Sequence, residues 1–396
     1  MISSRSRCQM RSTLGVAGLP GYPKRLWFPH RGNRPIINGM PVSIEAARHR
    51  IAALAARAVD GAEFRSGVLD ILRDVAPWDG AVLTQFDPAT MLFTAGTMLN
   101  VDTSYNPIVA RLEFSGNEPD QFADLATRSP GFAILSSTVG GDMAASARYR
   151  EVLHPQGLRD ELRAVCRTGR SCWGGVSLLR EPGRDFTDDD ASAIAALGNL
   201  IADGLRLMLL RSATTATDAP SLSGPTVLVL GPDGTVEGGT AEALEALSQI
   251  AGSHPEEAGL VAPVQAVVWR QRSSKSGVAH VRIRAADGTW LVLHAGALRS
   301  ADGVPRIVVS IEPARPPDVV SIVAAGIGLT ARETEVLEHL LAGRSSVEIG
   351  RRLYLSPYTV NDHVRHIFEK AGVHNRKELL AWLFFTDQPP RLGAST

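Results

Sequence analysis

The chain has 396 residues, of which 44% are hydrophobic and 21% charged, a composition typical of folded globular protein and unlike that of fibrous or disordered chains. Lysine plus arginine number 41 and so do aspartate plus glutamate, so the charge of the whole chain favours no class of partner. The length exceeds what one ordinary core needs and predicts two or three domains.

The three cysteines, Cys8, Cys166 and Cys172, are too few to crosslink a chain of this size and indicate a reducing compartment. No apolar run reaches the roughly 18 residues of a membrane helix. The first residues also lack the apolar core of a secretion signal. We therefore expect a cytoplasmic protein that does not contact a membrane.

Residues 1–41 are rich in arginine, serine, glycine and proline and show no hydrophobic period, which predicts a disordered leader. Their arginine-rich, acid-free composition also fits a targeting peptide. Translation from Met40, just before the first periodic segment, is the interpretation we favour. Residues 389–396 are expected to be a disordered tail.

Residues 42–211 predict a first α+β domain, because helical spacing and short strand-like runs succeed one another. Helices are predicted at 44–59, 63–75, 106–114, 120–127 and 144–153, and strands at 80–86, 91–95, 161–165 and 173–179. Thr187, followed by three aspartates, then begins one long amphipathic helix that runs to Leu210.

Residues 212–225 are mostly Thr, Ala, Ser and Pro and predict a linker. Residues 226–313 predict a second, small α+β domain. It contains a strand at 226–230, a helix at 241–250 and three strands at 279–284, 290–298 and 306–312, the last three separated by Asp-Gly turns. Prolines after residue 312 indicate a second linker at 314–325.

Residues 326–388 predict an all-α domain of four helices, because each helix begins with a capping residue. Thr330 with Glu333 and Ser345 with Glu348 are capping boxes, Ser356 precedes a proline at the first helical position, and Asn375 with Glu378 begins the fourth helix. Gly343 and Gly372 fit helix ends. The second and third helices are separated by only a few residues, which is the spacing of a helix-turn-helix motif.

The third of these helices is apolar on one side and polar on the other. Asparagine and arginine form bidentate hydrogen bonds with adenine and guanine in the major groove, so its outer face is a candidate for base recognition. Other side chains on it are candidates for phosphate contacts, which position a protein without reading sequence. The candidate base-reading residues are Tyr358, Asn361, Asp362, Arg365 and His366, and the candidate phosphate contacts are Thr359, His363 and Lys370.

This domain resembles the DNA-binding domain of LuxR-type regulators. The resemblance rests on Leu329-Thr330-Ala331-Arg332-Glu333, Gly343, Glu348-Ile349, Leu353, Ser356, Thr359-Val360, His363-Val364, Ile367, Lys370 and Gly372-Val373. It implies that the third helix enters the major groove, mainly with Asn361, Asp362 and Arg365, and that the chain binds double-stranded DNA as a homodimer on a near-palindromic site. Many family members have lysine or arginine where Asn361 stands, and Asp362 places a carboxylate at the groove, so the operator sequence does not carry over.

The N-terminal two-thirds resembles sensor domains. Residues 42–211 are similar to a GAF domain with its α/β/α layers, through the two opening helices, the stretch Cys172-Trp173-Gly174-Gly175-Val176-Ser177-Leu178 and the long closing helix. Residues 226–313 are similar to a PAS domain, through their Asp-Gly turns and Trp290-Leu291-Val292-Leu293-His294. Both resemblances imply either an unidentified small ligand, expected in the GAF-like domain, or a dimerisation platform.

No Ser-His-Asp order, phosphate-binding loop or metal-ligand spacing occurs, so we predict no catalytic residue, no metal, no cofactor and no enzyme activity. The predicted function is a sequence-specific transcriptional regulator, with RNA polymerase a candidate partner. The alternative is a signalling adaptor that binds no DNA and uses the C-terminal bundle to dock to a protein.

Cys166 and Cys172 suggest one further hypothesis. A hairpin centred on Gly169 would place them directly opposite one another, within disulfide range. Arg167 and Arg170 would favour the reactive thiolate, so the pair would be a redox switch. The alternative is two buried thiols that serve as core packing.

Overall fold

The computed structural model describes residues 43–384, except 115, 211–223, 225, 233, 252–261, 275–277, 286–288 and 300. The predicted leader 1–41, the first linker except Gly224, and the tail 389–396 lie outside the described residues. The described chain contains two antiparallel five-stranded sheets and many helices, and it ends in a helical domain. The mixed α+β class predicted from the sequence is confirmed at this level.

The first sheet, here called the N-terminal sheet, has the strand order β2-β1-β5-β4-β3. Its strands are β1 (Gly80–Phe86), β2 (Phe93–Leu99), β3 (Phe132–Ile134), β4 (Asp160–Thr168) and β5 (Ser171–Arg180). The helices of this region are α1 (Ile44–Arg57), α2 (Gly61–Val75), α3 (Asn106–Phe114), α4 (Phe122–Leu125), α5 (Leu135–Thr138), α6 (Asp188–Ala195) and α7 (Gly198–Leu210). The helices α1, α2 and α7 pack together beside the sheet and share its main core.

The long closing helix predicted at the end of this region is two helices, α6 and α7. The second begins at Gly198, where a Cβ atom would lie 2.8 Å from the carbonyl oxygen of Val165 on β4. A side chain would not fit between helix and strand at this point, and the break allows the helix backbone to lie against the sheet. The helix predicted at 144–153 is likewise reduced to the π-helical turn Tyr149–Leu153.

The second sheet, here called the central sheet, has the strand order β7-β6-β10-β9-β8. Its strands are β6 (Val227–Leu230), β7 (Val236–Gly239), β8 (Val278–Arg284), β9 (Trp290–Arg299) and β10 (Pro305–Pro313), and its helices are α8 (Ala241–Ala251) and α9 (Ala262–Ser273). Helix α9 was not predicted from the sequence. This helix contacts β8 and β9 as well as α3 and β2, so it is buried on more than one side and has no single apolar stripe to reveal it.

The predicted second linker, 314–325, is mostly helix α10 (Pro316–Gly326). Val319, Val320, Ile322 and Val323 are all buried in it, and they join the core cluster that contains α7. The prolines occupy the first turn, where a missing backbone N–H breaks no helical hydrogen bond, so they begin this helix rather than prevent it. The segment is therefore a packed connection and not a free spacer.

The C-terminal domain consists of α11 (Ala331–Leu341), α12 (Ser346–Leu353), α13 (Pro357–Ala371) and α14 (Arg376–Phe384), the four helices predicted from the sequence. Within the described ranges, no single helix is both long and apolar enough to cross a membrane. The bent pair α6–α7 meets that test only when its two members are taken together, and both contribute to the core.

Candidate nucleic-acid interface

The helices of the C-terminal domain begin where the sequence places their caps. Thr330 Oγ1 accepts a hydrogen bond from the backbone N–H of Glu333, and the Glu333 carboxylate accepts one from the backbone N–H of Thr330. Ser345 and Glu348 form the same reciprocal pair at α12. Ser356 caps α13 by accepting from the backbone N–H of Thr359 at 3.0 Å. These bonds satisfy backbone N–H groups in the first turns of α11, α12 and α13, and each joins residues within four positions of one another.

The turn between α12 and α13 depends on close backbone contact. Tyr354 ends α12 in the left-handed conformation, with φ of 56°, and Leu355 N–H donates to the carbonyl oxygen of Gly350 at 2.9 Å. A Cβ atom on Gly350 would lie 2.6 Å from the carbonyl oxygen of Leu355. Glycine at position 350 therefore allows the two helices to approach in the helix-turn-helix arrangement.

Helix α13 is held in the domain by one apolar side. Val360, Ile367 and Ala371 are fully buried, and Val364 and Phe368 are partly buried against the same core. This spacing of three, four and seven residues is that of one helix face. The opposite face is consequently turned to solvent, where a groove of DNA could receive it.

The outer face carries most of the predicted base-reading residues. Tyr358 is 84% exposed, and the Arg365 side chain is 62% exposed. Arg365 Nη2 donates to Asp362 Oδ1 at 2.6 Å, and its Nη1 lies 3.5 Å from Glu369 Oε1. The hydrogen bond from Arg365 holds the pKa of Asp362 below its ordinary value. Asp362 therefore orients the guanidinium in the free protein.

Other predicted residues on this helix already have partners. Asn361 Oδ1 accepts from Ser346 Oγ at the start of α12, at 2.5 Å. The Thr359 hydroxyl bonds the hydroxyl of Ser356 at 2.8 Å. His366 lies beside Arg365, 3.4 Å from its Nη2, and His363 is half-buried. The bond from Ser346 places the N-terminus of α12 beside the outer face of α13.

Lys370 is not part of this face. Its Nζ donates to Glu333 Oε2 at 2.7 Å and to the carbonyl oxygen of Gly328 at 3.2 Å, at the start of α11. In the free protein the ammonium compensates a nearly buried carboxylate within the domain. The expectation that Lys370 contacts phosphate stays a prediction. Sequence position alone could not reveal this partner, which lies 37 residues away.

Two further basic residues, which the sequence did not lead us to predict as site residues, lie beside the motif. Arg351 and Arg352, in the last turn of α12, are both exposed. In helix-turn-helix proteins the helix before the recognition helix crosses the DNA backbone, so basic residues on it are candidates for phosphate contacts. In the sequence, two adjacent arginines on the second helix of the motif were the feature that could have indicated these phosphate contacts.

The two cysteines do not have the geometry of a directly opposed pair. Cys166 pairs with Gly174 and Arg167 with Cys172, because the register shifts between Cys166 and Arg167. The two thiols are free and buried, and they belong to different core clusters. Burial raises the pKa of Cys166 well above its ordinary value and that of Cys172 to about 11, despite the nearby Arg167. The structure thus favours the packing alternative over an activated redox pair.

Two other kinds of site, a metal centre and a ligand pocket, can be looked for among the described residues. Within the described part of the chain, no three His, Cys, Asp or Glu side chains converge as a metal site would require. A pocket of about 250 Å³ lies at the edge of the central sheet, lined by Thr226, Val227, Ser310 and Glu312 among others. Its lining includes none of the predicted site residues.

Comparison with known proteins identifies the C-terminal domain. Residues 328–383 match the family described as bacterial regulatory proteins, luxR family. The chain is 43% identical over 54 residues to the CsgBAC operon transcriptional regulatory protein of Escherichia coli, covering 14% of this chain and 25% of that protein. It is 24% identical over 268 residues to a putative HTH-type transcriptional regulator of Mycobacterium tuberculosis, covering 63% of this chain and 29% of that one. The chain thus spans about a quarter of the length of these curated relatives.

Among solved structures, Escherichia coli SdiA aligns with 87% of this chain and 100% of its own, at 12% identity and a TM-score of 0.33. A complex of Vibrio cholerae VqmA with ligand and DNA aligns with 44% of this chain and 93% of its own, at 18% identity and a TM-score of 0.21. TM-scores this low do not indicate that the domains of this chain are arranged as in either structure.

Proposed function

Because residues 328–383 form a domain of the luxR family, we propose that this chain is a sequence-specific DNA-binding transcriptional regulator. The observation that carries the proposal is the outer face of α13, where Asn361, Asp362 and Arg365 stand on a helix presented by a helix-turn-helix turn. The acidic Asp362 and Glu369 on the same face lower its positive charge. Binding should therefore depend on base contacts more than on non-specific attraction to phosphate.

Dimerisation, the sensor domains and the partners of the chain form part of the same proposed function. A homodimer would place two copies of α13 on the half-sites of a near-palindromic operator. Residues 42–211 would act as a GAF-like domain and 226–313 as a PAS-like domain, sensing a small ligand or holding the dimer together. The protein would work in the cytoplasm, without a cofactor, and would contact RNA polymerase when it regulates transcription.

The test is selection of operator sequences from random double-stranded DNA with the full chain, followed by affinity measurements on Arg365→Ala. Loss of a bidentate base contact should weaken the selected site by about 1–3 kcal/mol and relax the base preference at one position. The matched control is Arg206→Ala, which removes an arginine from another helical i, i+3 pair, with Asp203 on α7.

Equal affinity of Arg365→Ala and the unmodified chain for the selected site would contradict the assignment of α13 to the groove. If no sequence is enriched and the chain binds no duplex DNA at low salt, the proposed DNA-binding function is replaced by the alternative of a signalling adaptor that binds no DNA. In that case the outer face of α13 would be a protein-docking surface.

A further inference from the structure

Arg282 is a buried arginine that serves neither the core of its own sheet nor the DNA-binding face. It lies on β8 and is 4% exposed. Because side chains alternate along a strand, it points to the face opposite Val281 and Ile283, which pack in the core of the central sheet. An arginine on the outer side of a sheet is normally solvated. Its burial indicates that other elements cover it.

The first covering element belongs to the N-terminal sheet. Asp87, which directly follows β1, is fully buried. Its Oδ2 accepts hydrogen bonds from Arg282 Nε at 2.8 Å and from the Arg282 backbone N–H at 3.3 Å, while Nη2 donates to Oδ1. The two residues are 195 positions apart. This two-pronged ion pair ties the end of β1 to β8, and its geometry is directional because both carboxylate oxygens are used.

The second covering element is α10, which leads into the DNA-binding domain. Arg282 Nη1 donates to the carbonyl oxygen of Asp318 at 3.1 Å and to the hydroxyl of Ser321. Only four residues separate the end of α10 from α11. The guanidinium thus uses all three of its nitrogens, and they reach two separate elements outside its own sheet.

A neighbouring arginine strengthens the same junction. Arg284 Nη1 donates to the carbonyl oxygens of Leu209 and Leu210 at the C-terminal end of α7, at 2.9 and 3.2 Å. A cation is favourable there because the last carbonyls of a helix lack partners within it. The side chain of Leu210 also packs on α10 at Gly326. One face of β8 therefore holds the end of the N-terminal region and the helix before the DNA-binding domain.

From these contacts we infer that Arg282 is a positioning residue, which sets the orientation of α10, and with it of the DNA-binding domain, relative to both sheets. A relative movement of the two sheets must either break the bonds to Asp87 or displace α10. The consequence for DNA affinity rests on the function proposed above, whereas the effect on α10 does not.

The experiment is hydrogen–deuterium exchange of the full chain, compared for Arg282→Lys and Ser321→Ala. Lysine keeps the charge but cannot make the fork of bonds to Asp87 and α10 at once. Exchange of the α10 amides should rise by about tenfold or more, as expected when a local opening loses a charge-assisted hydrogen bond. The control is Arg306→Lys, an arginine of the same sheet that pairs with Glu237 and Asp302.

Arg282→Lys could unfold the chain as a whole, so Ser321→Ala serves as a second, milder variant. Ser321 is exposed, and removing its hydroxyl leaves no cavity, so this variant should stay folded. This variant should raise α10 exchange and alter affinity for the selected operator without changing Tm. If α10 exchange in both variants equals that of Arg306→Lys, the positioning role is overturned. If exchange rises but the chain binds no DNA, the positioning role stands and the proposed function fails.

Discussion

Lys370 shows how a residue on α13 can compensate a buried charge within the domain. Its ammonium lies against Glu333, which is 5% exposed, so the lysine charge compensates a carboxylate that has little contact with water. Burial alone would raise the pKa of Glu333, but the hydrogen bonds from Lys370 and Thr330 hold it below its ordinary value. A carboxylate of this kind stabilises the fold above its unfolded pKa, and that stability is lost as the pH falls through the folded pKa.

Lys370→Ala should therefore lower the free energy of unfolding by about 1–3 kcal/mol at neutral pH, because Glu333 keeps its burial and loses its counter-charge. The difference from the unmodified chain should be smaller at an acidic pH below the folded pKa of Glu333 than at neutral pH, because the carboxyl is protonated in both chains there. Urea unfolding at the two pH values measures this. The control is the exposed Lys377→Ala. A difference that does not change with pH would show that the contribution of Lys370 is not electrostatic.

Tyr354 presents the opposite case, a residue in a costly conformation with no packing in return. It is 95% exposed and has a positive φ, which disfavours any residue with a Cβ atom. Tyr354→Gly should therefore raise the free energy of unfolding by about 1 kcal/mol, measured by thermal denaturation. Tyr358→Gly is the comparison, since Tyr358 is also exposed but lies in a regular helix, where glycine destabilises. Equal effects of the two changes would contradict the role of the left-handed turn.

At the scale of elements, the helix-turn-helix depends on one backbone approach. Alanine usually stabilises a helix relative to glycine by up to about 1 kcal/mol. At Gly350 the sign should reverse, because the added Cβ would meet the carbonyl oxygen of Leu355 at 2.6 Å, and a backbone atom in a tight turn has little room to move. Gly350→Ala should lower the free energy of unfolding by about 1–3 kcal/mol.

Differential scanning calorimetry of Gly350→Ala measures that loss, and operator binding should weaken with it, because α13 would be displaced from α12. Val347→Ala on the same helix is the control, since Val347 is 48% exposed and its truncation removes little packing. A Gly350→Ala variant as stable as the unmodified chain would mean that the turn tolerates a wider spacing.

At the scale of the whole molecule, α10 belongs to the core of two regions at once. One continuous cluster of buried residues runs from α1 and α7 through α10 to α11 and α13. Ile322 is fully buried in it. The stability of the DNA-binding domain should therefore be coupled to that of the N-terminal region.

Ile322→Ala should lower stability by about 2–5 kcal/mol, the cost of removing a buried aliphatic side chain. Hydrogen exchange should rise in both α7 and α11, because both lose the shared packing. Val304→Ala, at a 37% exposed valine, is the control. A rise confined to α11–α14 would contradict the shared core.

Sequence by itself determined the elements whose information is local. The capping residues Thr330, Ser345, Ser356 and Asn375 make their bonds within four residues, so all four C-terminal helices and the helix-turn-helix could be predicted. Strand β1 and helix α3 were also predicted at their observed bounds, because each has a clear local pattern of hydrophobicity.

The tertiary structure alone decided what depends on distant neighbours. Helix α9 is buried on several sides, α10 packs on a helix from another region, and the register shift beside Cys166 is set by strand pairing. The partners of Lys370 and Arg282 lie 37 and 195 residues away. A local pattern encodes which residues are apolar, charged or capping, but not which surface will cover them, because burial arises only when remote segments meet.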